Sequence, residues 1–172
     1  MKTFKKGFLL LAVALFISGF GFAQGSLKIG YINSNKLMGI MPEADSAQAQ
    51  VKVYAAGLQK QMRSMAQEYQ SKVRDYQSNV GTMSDLIRQT KEKEISDLQQ
   101  RIQAFQASAD KDVQKKQQEL FQPIITKVKN AIDAVGKENG YNYILDVSQG
   151  VVLYYGNGDN ITPLVKKKLH LK

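Results

Sequence analysis

VKVYAAGLQKQMRSMAQEYQSKVRDYQSNV, residues 51–80, places Val51, Ala55, Leu58, Met62, Met65, Tyr69, Val73, Tyr76 and Val80 at intervals of 4, 3, 4, 3, 4, 4, 3 and 4. Their mean spacing is close to the 3.6-residue turn of an α-helix, so these side chains form one continuous face. The face lies inside a longer stretch, from Pro42 to Pro123, that holds no other proline and only Gly57 and Gly81. Gln, Lys, Ala and Met crowd it, the composition of long exposed helix. So thin an apolar stripe cannot build a core of its own. The segment is expected to work by packing against copies of itself or against other molecules, as a binding device.

Working outward, Pro42 suits a first helical position, and Glu43 and Asp45 suit the positive end of the helix dipole. Gly81 is a candidate C-terminal cap, and Thr82-Met83-Ser84-Asp85 has the form of a capping box opening a second helix. The tip of a helical hairpin is therefore expected at residues 80–82. The second stripe runs Ile95, Leu98, Ile102, Phe105, Ala109, Val113, Leu120, Ile124, Val128, Ala131 and Val135, with polar Gln117 where an apolar residue was due. A fold at Gly81 sets residue 43 opposite about residue 120, leaving the end of the second helix to overhang its partner. Pro123 sits where the overhang begins and reads either as a hinge between arm and body or as a tolerated kink.

The ends of the chain carry strand signals. Leu27-Lys28-Ile29-Gly30-Tyr31-Ile32-Asn33 alternates as a half-buried strand does, and Ser34 to Met41 reads as a short helical connection. Tyr141–Val147 and Val151–Tyr155, separated by Ser148-Gln149-Gly150, read as a hairpin, and Thr162-Pro163 as the N-cap and first position of a terminal helix. The fold class is thus α+β, mostly α: a β-rich body from residues 24–42 and 121–172, with a helical arm over 43–120 inserted between them. Three short strands and one small helix are too few for an independent core, so oligomerisation through the body is expected.

Lys2, Lys5 and Lys6, an apolar run from Phe8 to Phe20, and Gly21-Phe22-Ala23 have the three-part layout of a cleaved secretory signal peptide over residues 1–23. The net charge of +9 falls to +6 without those three lysines, since 21 Lys and Arg then face 15 Asp and Glu. Export makes nucleic acid an unsuited partner, and the alternating charge signs along the helices describe a solvated, mildly basic surface. The absence of cysteine removes disulfides, zinc–thiolate sites and cysteine nucleophiles together.

Catalysis finds no footing in this sequence. The one histidine, His170, is placed in a frayed tail, and Asp146 stands in an apolar strand as a structural hydrogen-bonding group. Asp110/Asp112 and Glu92/Glu94 lie two apart on helix and point away from each other. No phosphate loop of the Walker type appears, and no cofactor or metal is expected.

Taken in order, the Leu27–Asn33 strand, the long Gln- and Lys-rich hairpin, Tyr141-Asn142-Tyr143-Ile144-Leu145-Asp146, the Val/Tyr run, and Asp159-Asn160-Ile161-Thr162 before a Lys-rich end resemble the Skp/OmpH family of periplasmic chaperones. The resemblance covers essentially all of the mature chain. It implies a homotrimer whose strands form a small barrel-like body, with three helical arms hanging around a cavity. That cavity would hold unfolded outer-membrane β-barrel proteins without ATP. Ile29, Tyr31, Leu145, Val147, Val151 and Leu153 are the expected contacts of the trimerisation body. Tyr54, Met62, Met65, Tyr69, Tyr76, Met83, Leu86 and Ile87 are the expected client-binding residues, because Met and Tyr adapt to many partners. Most of this stripe, about two-thirds, is instead expected to serve the seam between the helices, with the flanking Met and Tyr and Leu86 and Ile87 near the tip lining the cavity.

Family members are proposed to bind lipopolysaccharide through basic residues. Lys72, Arg74, Arg88, Lys91 and Lys93 near the tip are balanced by Asp75, Asp85, Glu92 and Glu94, so contact with anionic lipid or lipopolysaccharide stays an open alternative. A second function class also remains: a coiled-coil scaffold of the cell envelope that binds one fixed partner. A strict 3.5-residue repeat would favour it, and the observed spacing near 3.6 leans to the chaperone.

Overall fold

The computed structural model describes residues 27–156 and 158–171. The leader expected over residues 1–23 lies outside them. The chain forms β1 (Ile29–Ile32), α1 (Ser34–Met38), α2 (Pro42–Asn79), a 3-10 turn (Val80–Thr82), α3 (Asp85–Glu138), β2 (Tyr143–Asp146), β3 (Asp159–Asn160) and α4 (Thr162–Lys168). The fold is mostly helical with one small sheet, as expected. Among the described residues no helix is long and apolar enough to cross a membrane.

Local chemistry sets most boundaries. The Asn33 side chain accepts from Lys36 N–H at 2.9 Å and starts α1. Pro42 occupies the first turn of α2, with Glu43 and Asp45 at its positive end. With 38 residues, α2 is about 57 Å long at 1.5 Å per residue.

The hairpin turns at residues 80–82 as expected, but the chemistry of the turn differs. Gly81 is not a left-handed cap: it lies inside the 3-10 turn, and only Gly140, Gly150 and Gly156 take positive φ among the described glycines. The expected capping box does not form either. Thr82 donates its hydroxyl back to Asn79 O at 2.9 Å, Ser84 is the N-cap of α3, and Asp85 pairs with Arg88 at 2.6 Å. Because the turn consumes residues 80–84, the helices pair about a point two to four residues later than Gly81. Lys72 meets Glu94, Asp75 meets Lys91, and Glu43 meets Lys127 rather than a residue near 120.

The expected β-hairpin is also corrected. β2 and β3 both run parallel to β1, in the order β2-β1-β3, and residues 151–155 form no strand. Two runs joined by three residues could only pair antiparallel. Here the first strand of the chain takes the central position and the late strands flank it. Gly140, at φ +67°, turns the chain out of α3. The neighbouring Asn142 then locks onto Lys28, fixing the register Ile29↔Tyr143 through Ile32↔Asp146.

At the other end, Ile161 rather than Thr162 is the N-cap of α4, and the Asn160 side chain accepts from Thr162 N–H at 3.0 Å. His170 is not in a frayed tail. It closes α4 at φ +56°, between Leu169 and Leu171, which both pack on the core.

That core gathers Ile32 from β1, Leu37 and Met41 around α1, Ala44 and Ala47 from the start of α2, Ile124, Val128, Ala131 and Val135 from the end of α3, and Ile161, Val165 and Leu169 around α4. It lies entirely at the sheet end of the molecule. Farther along the arm only Val51, Met65 and Leu98 are buried.

Candidate functional site

Two surfaces stand apart from this core: one face of the sheet, and the arm. In β1 the side of Gly30 and Ile32 turns toward the helices, as does Ile144 of β2. Period-2 alternation sends Ile29, Tyr31, Tyr143 and Leu145 to the opposite face, where Ile29, Tyr143 and Leu145 are exposed. The segment after β2 returns over this side. The ring of Tyr155 lies 4.5 Å from that of Tyr31, centroid to centroid, at 42°. Leu145, Tyr154 and Tyr155 line a hollow of about 370 Å³ with Ile29 and Tyr31. Val151, Leu153 and Tyr154 stand almost fully in solvent, Leu153 at 94% exposure. The structure thus brings Ile29, Tyr31 and Leu145 together on one sheet face. Val147 follows half-buried at the end of β2, while Val151 and Leu153 stand on the exposed segment that follows. Tyr154 and Tyr155 belong to the same surface and were missed, although the alternation of 151–155 contained them.

A hydrogen-bonded knot supports this face from behind. Asp146 accepts from Ser34 N–H at 3.2 Å, from the Ser34 hydroxyl, and from Ser148 N–H at 2.9 Å. Partial burial pushes its carboxyl upward, but the bonds from Ser34 and Ser148 outweigh it and leave the pKa lowered. Lys28 secures the other end of β1 by donating to Asn139 O at 3.0 Å and lying 4.2 Å over the Tyr141 ring.

Along the arm, every apolar residue of both stripes is buried or half-buried, from Val51 to Tyr76 on α2, at Val80 in the turn, and from Ile95 to Leu120 on α3. The stripes are therefore seam. Met65 is buried there, and Tyr76 is half-buried with its hydroxyl donated to Glu92, which raises its pKa. Met62 and Tyr69 are half-buried in the same seam, and Met83 is half-buried just past the turn. The Lys72 ammonium hydrogen-bonds Glu94 at 2.8 Å, raising its own pKa and lowering that of Glu94. Of the expected client-binding residues, Tyr54, Leu86 and Ile87 are left open to solvent. Val53, at 74% exposure, joins them. It lies off the 3.6-residue spacing, the signal by which it could have been found. Pro123 is exposed on α3, directly before the point where Ile124 enters the core. Among the described residues no group of acidic, histidine or cysteine side chains could hold a metal ion.

A family model described as outer membrane protein (OmpH-like) matches residues 28–169. A protein named chaperone protein Skp from Pectobacterium atrosepticum is 23% identical over 165 residues, covering 96% of this chain and 99% of its own length. A protein of the same name from Photorhabdus laumondii is 24% identical over 147 residues, covering 86% and 88%. A crystal structure from Caulobacter crescentus, described as a candidate outer membrane chaperone (OmpH-like), superposes with a TM-score of 0.70 at 14% identity and covers 86% of this chain and 89% of its own. That likeness extends to the fold.

Proposed function

The chain belongs to the family of OmpH-like outer membrane proteins, and from that premise we propose that it is a periplasmic holdase that keeps unfolded outer-membrane β-barrel proteins from aggregating, without ATP. The named relatives are chaperones, not enzymes. One structural observation carries the reading: the core is confined to one end, and a two-helix arm about 57 Å long extends from it with apolar side chains left in solvent. In this reading residues 1–23 direct export and are removed. The body, residues 24–42 and 121–172, trimerises through the exposed sheet face. Three arms, residues 43–120, then enclose a cavity, and Pro123 acts as the hinge where each leaves the body.

Contacts to the client come from Val53, Tyr54, Leu86 and Ile87, with the half-buried Met62, Tyr69, Tyr76 and Met83 at the edge of the seam. Weak, dispersed contacts of this kind suit a protein that must release what it holds.

The test is whether the purified mature protein keeps a urea-unfolded outer-membrane β-barrel soluble at stoichiometric amounts without nucleotide. Suppressed light scattering is expected. Aggregation at the rate of the client alone, together with tight binding to a single folded partner, would replace the holdase by the envelope scaffold. Sedimentation equilibrium tests the assembly separately, and a monomer overturns the trimer.

A further inference from the structure

The chain leaves α3 through Asn139-Gly140, one of two Asn-Gly pairs in the sequence. The fold asks for both residues. Gly140 takes φ +67°, a conformation that L side chains rarely adopt, and so lets the Tyr141 N–H return to Gly136 O at 3.0 Å in a Schellman closure. Asn139 is the C-cap of α3: its backbone N–H and its side-chain amide both donate to Val135 O, at 3.1 and 2.8 Å.

The same two residues form a chemically reactive pair. When the Gly140 amide nitrogen attacks the side-chain carbonyl carbon of Asn139, a C–N bond forms, the bond to the side-chain nitrogen breaks, and ammonia leaves with the Gly140 proton. Water then opens the cyclic imide at either carbonyl and yields aspartate or isoaspartate. Glycine hinders this attack least, having no side chain, which makes such asparagines thermolabile. Geometry holds the reaction off in the folded chain. At ψ 6° the Gly140 nitrogen eclipses the Asn139 nitrogen and is turned away from Cβ. Val135 O holds the side-chain amide, and Lys28 Nζ holds the Asn139 carbonyl oxygen at 3.0 Å. Nothing else shields the pair: both residues are exposed, a Cβ on Gly140 would meet nothing within 4 Å, and the Gly140 N–H makes no hydrogen bond among the described residues. Helix ends open locally at low cost, so the last turn of α3 alone separates a protected pair from a reactive one.

We propose that Asn139-Gly140 is a deamidation site gated by the junction of α3 and β2: shut while the junction is formed, reactive when it opens or the chain is unfolded, and damaging to the junction once it has reacted. An aspartate at 139 sets a negative charge on the negative end of the α3 dipole and puts an acceptor where Val135 O needs a donor. An isoaspartate adds a methylene to the main chain just ahead of Asn142, whose pairing with Lys28 sets the register of β1 and β2. Either product loosens the restraint that delayed it. The inference is independent of what the arm binds.

The test incubates the wild-type protein in mildly alkaline buffer, with and without denaturing urea, and follows the loss of each side-chain amide by mass spectrometry. Trypsin releases residues 138–166 as one peptide, in which fragmentation separates Asn139 from Asn157 of the other Asn-Gly pair. In urea the two asparagines should convert at comparable rates. In native buffer, with circular dichroism confirming the fold, Asn139 should convert at least about tenfold more slowly than in urea. Equal rates at Asn139 in the two conditions overturn the gate. No conversion at Asn139 in urea while Asn157 converts overturns the site. Asn139→Asp reads the damage: its melting temperature should fall below that of the wild type, and a variant melting at or above the wild type overturns that part of the proposal.

Discussion

Lys28 and Asn142 are joined by two reciprocal hydrogen bonds of 2.8 Å: the Lys28 N–H donates to the Asn142 side-chain oxygen, and the Asn142 N–H donates to the Lys28 carbonyl. They are 114 residues apart in sequence. Replacing Asn142 by Ala removes one of the two bonds and should cost about 1 kcal/mol. A urea titration followed by circular dichroism should show a lower midpoint with an unchanged slope.

Gly30 and Gly81 should respond in opposite ways to alanine. A Cβ at Gly30 would lie 2.7 Å from Ile161 Cγ2 and 3.1 Å from the Tyr141 ring, so Gly30→Ala should destabilise by about 1–3 kcal/mol. A Cβ at Gly81 meets nothing within 4 Å, and its φ is not positive. Gly81→Ala should be neutral or stabilising by up to about 1 kcal/mol. Thermal melts of the two variants against the wild type check both.

Leu98 and Leu86 separate seam from open surface. Leu98 is 2% exposed, and Leu98→Ala should cost roughly 2–3 kcal/mol, toward the lower end for core truncations because a two-helix seam can partly close. Leu86 is 74% exposed, and Leu86→Ser should change stability by less than about 0.5 kcal/mol. It should nevertheless weaken client capture in the light-scattering assay. Loss of stability in the second variant would mean that Leu86 packs in the assembled protein.

Leu153→Asp should leave the protomer folded, because that side chain is 94% exposed in it, and should give a monomer on the proposal that the body trimerises through this face. Sedimentation equilibrium of variant and wild type reads the outcome directly. An undissociated variant would place the association surface elsewhere.

Asp146 gives the protein an acid limit. Its carboxyl is held below the ordinary range in the folded state, so the stabilisation is present above the unfolded value near 3.9 and is lost as pH falls through the folded value. Asp146→Asn should lower the melting temperature at pH 7, and the difference from the wild type should shrink toward pH 3. A gap that does not depend on pH would assign the effect to shape rather than charge.

The arm was legible because a helical stripe is a local signal: Val51 to Val80 announces its period without reference to the rest of the chain. The place of its tip, residues 80–82, was legible too, but not the 3-10 turn there, because a glycine permits a left-handed cap and a turn without positive φ alike. The sheet was less legible. Tyr141–Val147 and Val151–Tyr155 do carry strand propensity, but pairing is decided by what lies beside a strand, and β1 comes from the far end of the chain. Leu153 and Tyr154 keep the composition of a strand while finding no partner within the protomer.

The central position of β1 sets an order in time. On the ribosome β1 appears early, yet β2 and β3 follow it by more than a hundred residues, and Val165 and Leu169 close the core last. The arm, whose contacts lie within one hairpin, can form while the sheet still waits. A chain broken off before Ile161 would carry a finished arm on an unfinished body. Until those late contacts form, Ile32, Leu37 and Met41 lack the side chains of Ile161, Val165 and Leu169 that pack against them.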